Sequence, residues 1–89
     1  MTYTLVIERE ADRNLRDLPR DVARRIIERL NRLHSEPRPR GAAKLVGRTM
    51  EYRLRVGLYR VVYTIDDGMR EVRIRYVRHR RDVYRLSRR

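Results

Sequence analysis

Hydrophobic positions along this chain change their period, and each period predicts an element. Tyr3 to Ile7 is an apolar run of strand length. From Glu8 to Leu18 the apolar residues Ala11, Leu15 and Leu18 fall at i, i+4 and i+7, which is one face of a helix. Pro19 breaks that helix, and Asp21 stands where a second begins, since an acidic group in the first turn suits the helix dipole. Val22, Ala23, Ile26, Ile27, Leu30 and Leu33 then form an apolar stripe, with Arg24, Arg25, Glu28, Arg29 and Arg32 on the other side. The stripe predicts a core face, and His34 stands at the helix end as a partner for its dipole. Glu36-Pro37-Arg38-Pro39-Arg40-Gly41 is a loop by composition, and Lys44 to Gly47 is an irregular link. Beyond it the period drops to two. Glu51 to Val56 and Tyr59 to Ile65 alternate as strands around Gly57-Leu58, and Glu71 to Val77 follows the hairpin signal Asp66-Asp67-Gly68. Val83 to Leu86 predicts a closing helical turn.

The order β-α-α-β-β-β predicts an α+β fold: a small antiparallel sheet with a helical hairpin packed on one face. It forms a single domain over residues 1–89 with no internal repeat. Neighbouring strand residues point to opposite faces. Tyr52, Leu54 and Val56 therefore share the core side with Tyr59, Val61, Tyr63 and Ile65, and with Val72, Ile74 and Tyr76. Strict alternation then puts Arg53, Arg55, Arg60, Arg73, Arg75 and His79 together on the open face, an arrangement that a one-residue bulge breaks.

Charge gives that open face a meaning. The chain carries 24 basic and 12 acidic residues for a net +12, and Lys44 is its only lysine. Residues 1–45 carry a net +4 and residues 46–89 a net +8, and five of the six tyrosines lie in the second half. Such a balance favours polyanions, and arginines interleaved with tyrosines suit RNA, where rings stack on unpaired bases and guanidinium groups hold phosphates. The absence of cysteine excludes disulfides and thiolate metal sites and fits a reducing, cytoplasmic setting. No stretch approaches the roughly 20 apolar residues of a membrane span. Met1 to Ile7 is too short for a signal-peptide core. No His/Cys/Asp/Glu spacing matches a metal site, no glycine-rich phosphate loop occurs, and no cofactor is implied.

Three stretches carry a resemblance: Leu45-Val46-Gly47, Tyr52-Arg-Leu-Arg-Val-Gly-Leu-Tyr-Arg-Val-Val-Tyr63, and Val77-Arg78-His79-Arg80-Arg81-Asp82-Val83-Tyr84. Together they resemble the RelE/ParE superfamily, toxins of type II toxin–antitoxin systems, and stand closer to its RelE branch. The resemblance implies a cytoplasmic, ribosome-dependent endoribonuclease that cuts messenger RNA. It also implies a cognate, small acidic RelB-like antitoxin covering the basic face. It points to Arg53, Arg55, Arg60, the His79-Arg80-Arg81 stretch and Tyr84 as the active face. RelE-type enzymes often carry lysines where Arg53 and Arg55 stand. Arginine keeps its proton, so these two can clamp phosphate but not accept protons.

Cleavage of RNA by its own 2′-hydroxyl needs a base, cations around the phosphorane and an acid for the departing 5′-oxygen. Arg60 is the choice for holding the phosphate, with Arg53 and Arg55 orienting it. His79 and Tyr84 are the acid–base candidates, and the sequence does not divide the two roles. Arg73, Arg75, Arg80, Arg81 and Lys44 are expected to bind RNA, while Arg70, Arg88 and Arg89 read as solvated charge. A ParE-like inhibitor of DNA gyrase and a non-catalytic RNA- or ribosome-binding module are the competing readings.

Overall fold

The computed structural model describes residues 2–45 and 51–81. The expected closing turn at Val83 to Leu86, and Tyr84 within it, lie outside the described residues. Strand β1 (Thr4–Ile7) leads into helix α1 (Arg9–Arg16) and, across Pro19, into the longer helix α2 (Arg20–Arg32). Strands β2 (Ala42–Lys44), β3 (Glu51–Val56), β4 (Tyr59–Asp66) and β5 (Glu71–His79) follow. The strands form one sheet in the order β1-β5-β4-β3-β2.

Two features of the sheet differ from the expectation. β1 joins at the edge parallel to β5, pairing Leu5 with Val72 and Ile7 with Ile74, so the sheet is mixed rather than wholly antiparallel. The two helices separate β1 from the later strands in sequence, so no tight turn forces it to run antiparallel. And Ala42–Lys44, part of it read as an irregular link, is a strand antiparallel to β3. Three residues, two of them alanine, carry no visible alternation.

One face of the sheet builds the core. Leu54 and Val56 of β3, Val61, Tyr63 and Ile65 of β4, and Val72, Ile74 and Val77 of β5 are buried with Ala11 and Leu15 of α1 and Ile26 and Leu30 of α2. Leu33, just beyond α2, completes the helical stripe, whereas Ile27 stays 40% exposed on its outer side. α1 lies over β5 and α2 over β3.

Turn chemistry ties the strands. Gly57 adopts φ 60° at the head of the two-residue turn between β3 and β4, the position at which a type II′ hairpin needs glycine. The loop before β2 is clamped by side chains. Arg38 donates through Nη1 and Nη2 to the two carboxylate oxygens of Asp67 (3.2 and 2.8 Å) and through Nε to the Tyr52 hydroxyl (3.1 Å). The Tyr3 hydroxyl also donates to Asp67 (2.6 Å), and the Tyr63 hydroxyl donates to the Pro37 carbonyl (2.8 Å). These bonds join the start of β1, the loop, β3 and the β4–β5 turn. Among the described residues no helix is long and apolar enough to cross a membrane.

Candidate nucleic-acid interface

The face of the sheet away from the helices is organised in cross-strand rungs. Arg55 pairs with Arg60 and Arg60 with Arg78, so three arginines stand side by side on β3, β4 and β5. The next rung is Arg53, Val62 and Tyr76, and the third is Glu51, Thr64 and Arg73. Arg53, Arg55 and Arg60 are thus brought together as expected.

A bulge changes the rest of the expectation. The β4–β5 register slips between Val62 and Tyr63, where Val62 faces Tyr76 but Tyr63 faces Ile74, leaving Arg75 as the extra residue. Core burial explains the slip. Val72, Ile74 and Val77 are all buried, and their spacing of two and then three cannot be met by strict alternation. Beyond the slip each side chain changes face. Tyr76, expected in the core, lies on the open face. His79, expected there, pairs with Tyr59 on the helix side, its ring edge-on to Tyr59 at 5.4 Å between centroids. Arg78 takes the place beside Arg60. Alternation missed both Arg78 and Tyr76. The signal available was the apolar spacing Val72, Ile74, Val77.

α1 supports the displaced backbone. β1 ends opposite Ile74, so Val77 has no strand beyond it, and its N–H donates instead to Asn14 Oδ1 (2.9 Å). Arg78 is braced by its Nη2 donating to Glu10 of the same helix, and its guanidinium lies over the Tyr76 ring, 5.2 Å from the centroid.

The cations expected to bind RNA divide into distinct environments. Arg73 and Arg75 sit in a carboxylate lattice: Arg73 meets Glu71 (2.9 Å) and Glu8 (3.8 Å), and Arg75 meets Glu8 (3.2 Å) and Glu51 (3.8 Å). Their charge is spent locally. Lys44 pairs with Tyr52, which places it on the helix side at the sheet edge. Arg80 and Arg81 are exposed beyond the end of β5, where the Arg81 N–H donates to His79 Nδ1 (3.3 Å) and the Arg80 N–H to the Leu58 carbonyl (2.9 Å).

The rung concentrates three arginines, of which Arg78 is answered by Glu10. Like charges directly opposite each other destabilise a sheet. Arg60 is only 7% exposed between Arg55 and Arg78, and Glu10 offsets part of the charge at Arg78. A bound anion removes the repulsion, and parallel guanidinium forks suit phosphate oxygens. Tyr76 beside the rung offers a ring for a base. Among the described residues no group of three or more His, Cys, Asp or Glu side chains could hold a metal ion.

Comparison with known proteins bears on the fold and the family. The sequence profile of the family described as the ParE toxin of type II toxin–antitoxin systems, parDE, matches residues 5–84. The archaeal RelE–RelB complex from Pyrococcus horikoshii contains a chain similar to this one, with 33% identity over 90% of this chain and 97% of that chain and a TM-score of 0.80. The toxin–antitoxin complex RelBE2 from Mycobacterium tuberculosis gives 32% identity over 89% and 99% with a TM-score of 0.77. A doubly substituted RelE toxin from E. coli, solved in the free state, gives 25% over 98% and 93% with a TM-score of 0.80. No curated protein matches the chain. The family match across nearly the whole sequence, and the fold shared with RelE chains, establish that this protein is a toxin of the RelE/ParE superfamily of type II toxin–antitoxin systems.

Proposed function

We propose that the protein is a ribosome-dependent messenger RNA endoribonuclease, held in check by a cognate acidic antitoxin. The observation that carries this reading is the arginine rung Arg55–Arg60–Arg78 on the sheet face away from the helices, with Tyr76 beside it. Arg60 holds the scissile phosphate, Arg55 and Arg78 flank it, and Arg53 orients the strand from the next rung. The 2′-hydroxyl gives its proton to a base and bonds to phosphorus. The bond to the 5′-oxygen then breaks as that oxygen takes a proton from an acid, leaving a cyclic phosphate and a free 5′-hydroxyl. Charge on the phosphorane oxygens builds beside three fixed cations, which require no reorganisation during the step. Of the two acid–base candidates we favour Tyr84. His79 lies across the sheet from the rung, and we assign it with Arg80 and Arg81 to the margin of the site.

The antitoxin reading draws on the similar chains, several of which stand in RelB complexes. An acidic segment laid over the rung adds carboxylates to its arginines and excludes RNA.

The test adds the purified protein to ribosomes stalled on a defined message and maps the fragment ends. Cuts in the decoding-site codon are expected, absent without ribosomes. Arg60→Ala and Arg78→Ala are each expected to reduce them by about 10²–10³-fold with the fold retained by circular dichroism. Retained cutting in both variants overturns the site. The match to the ParE profile favours one other reading, inhibition of DNA gyrase. Intact messages together with broken DNA after expression decide for it.

A further inference from the structure

Helix α1 reaches the end of β5 with two side chains one turn apart. β1 stops opposite Ile74, so the edge of β5 beyond that point has no neighbouring strand. Glu10 and Asn14, at i and i+4, share the face of α1 that serves this edge instead. Asn14 Oδ1 accepts from the Val77 N–H (2.9 Å), and Glu10 Oε1 accepts from Nη2 of Arg78, the next residue. One helix face therefore holds both the backbone and the guanidinium at the position that completes the arginine rung.

The bonding pattern separates Arg78 from the other arginines of β5. Arg73 is engaged on both sides of its guanidinium: Nε and Nη2 donate to Glu71 (3.2 and 2.9 Å), and Nη1 faces Glu8 (3.8 Å). Arg75 is engaged at Nε by Glu8 (3.2 Å) and at Nη1 by Glu51 (3.8 Å). Among the described residues Arg78 is engaged at Nη2 alone, with its guanidinium over the Tyr76 ring at 5.2 Å. Nε and Nη1 remain as donors. A carboxylate on one edge and free donors on the other aim an arginine at a phosphate without silencing it.

Stability does not account for the pair. Glu10 is 53% exposed, and an ion pair this open adds little to a fold. The dipole of α1 favours an acid in its first turn, but Asp12 meets the same preference and pairs with Arg16 inside the helix. The dipole leaves unexplained why the Glu10 carboxylate reaches out of the helix to β5. Orientation explains it. An unrestrained arginine samples many rotamers, and charge on a phosphorane is stabilised best by a donor that needs no reorganisation.

We propose that Glu10 is a positioning residue for cleavage, which aims the remaining donors of Arg78 at the scissile phosphate and acts through Arg78 alone. The proposal rests on the ribonuclease reading of the sheet face.

The experiment measures kcat and KM for cleavage of ribosome-bound message by the full chain, by Glu10→Gln, by Arg78→Ala and by the double variant. Glu10→Gln is expected to lower kcat about ten- to a hundredfold, because a misplaced group costs rate in the transition state. Its KM is expected to stay level or fall, since a negative charge beside the RNA is gone. In the Arg78→Ala background the same substitution is expected to change kcat by less than about twofold. Its melting temperature is expected to drop by no more than about 4 °C. Nitrogen NMR of the Arg78 guanidinium, assigned by its loss in Arg78→Lys, is expected to show two separate Nη signals in the unsubstituted chain and one averaged signal in Glu10→Gln. Four results overturn the proposal: a kcat unchanged or raised, a raised KM with full kcat, an effect that persists in Arg78→Ala, or an averaged Nη signal in the unsubstituted chain. Absence of cleavage by the unsubstituted chain overturns the ribonuclease reading and the role in cleavage with it, whereas the Nη signals judge the hold of Glu10 on Arg78 by itself.

Discussion

At Arg70 the backbone sits at φ 53°, a left-handed conformation that costs an L-residue with a Cβ about 1 kcal/mol or more. Glycine there removes the strain. Arg70→Gly is expected to raise the melting temperature by several degrees, since about 1 kcal/mol moves a domain of this size by roughly 4–8 °C. Differential scanning calorimetry checks it, and a lowered midpoint means that the arginine side chain has a stabilising role. The Asp-Gly pair in the sequence announced this turn but not its form. Gly68 is not at positive φ, and Asp66 Oδ1 instead accepts from the Met69 N–H (3.0 Å), so the chain reverses with its left-handed residue two places later. Beside this turn Asp67 holds the clamp. The Arg38 guanidinium, and then the Tyr3 hydroxyl, keep its carboxyl below the usual carboxylate range. A depressed folded pKa means stabilisation that is present above the unfolded value of about 3.9 and lost as pH falls through the folded one. Asp67→Asn is therefore expected to melt earlier than the unsubstituted chain at neutral pH, with the gap closing below about pH 4. A gap independent of pH removes the ionic part of the clamp.

At the scale of elements, the sequence displayed every helix and strand with a period long enough to see. The apolar stripe of α2 and the alternation of β3 and the first part of β4 survive in the structure. β2 was illegible because three residues hold no period, and strict alternation misread the face of β5 beyond Arg75 because a bulge reverses parity, which only the apolar spacing Val72, Ile74, Val77 signals. That slip decides the site, since it replaces His79 by Arg78 beside Arg60. It is held by the bond from Asn14 in α1 to the Val77 N–H. Asn14→Leu leaves that donor without its partner, and an unsatisfied buried donor costs about 1–3 kcal/mol. The variant is expected to melt several degrees lower and to lose RNA affinity with Arg78→Ala-like severity, because the end of β5 that carries Arg78 is no longer fixed. Normal affinity in a destabilised Asn14→Leu protein means that the bulge stands without α1.

Across the whole molecule, a net charge of +12 is unevenly usable. The open sheet face ends at one side in the Glu8, Glu51 and Glu71 lattice and at the other in the arginine rung, so only part of its charge is offered to a ligand. Sequence alone counted Arg73 and Arg75 as part of the binding face, because a cation's partners in other elements are invisible to a strand pattern. Counterion release measures which cations meet phosphate. Each contact contributes about −0.7 to the slope of log affinity against log salt for a single strand. Arg73→Gln and Arg75→Gln are expected to leave the slope for a short single-stranded RNA unchanged, while Arg55→Gln, whose guanidinium meets no carboxylate among the described residues, makes it shallower by about one contact. Glu8→Gln supplies the converse. Glu8 meets both Arg73 and Arg75, so its loss frees part of two guanidinium groups on the open face. Tighter binding and a steeper slope are expected from Glu8→Gln, with the gain abolished when Arg73→Gln and Arg75→Gln are added. If Glu8→Gln binds no better, the lattice does not mute these arginines, and the boundary of the RNA site lies elsewhere on the sheet.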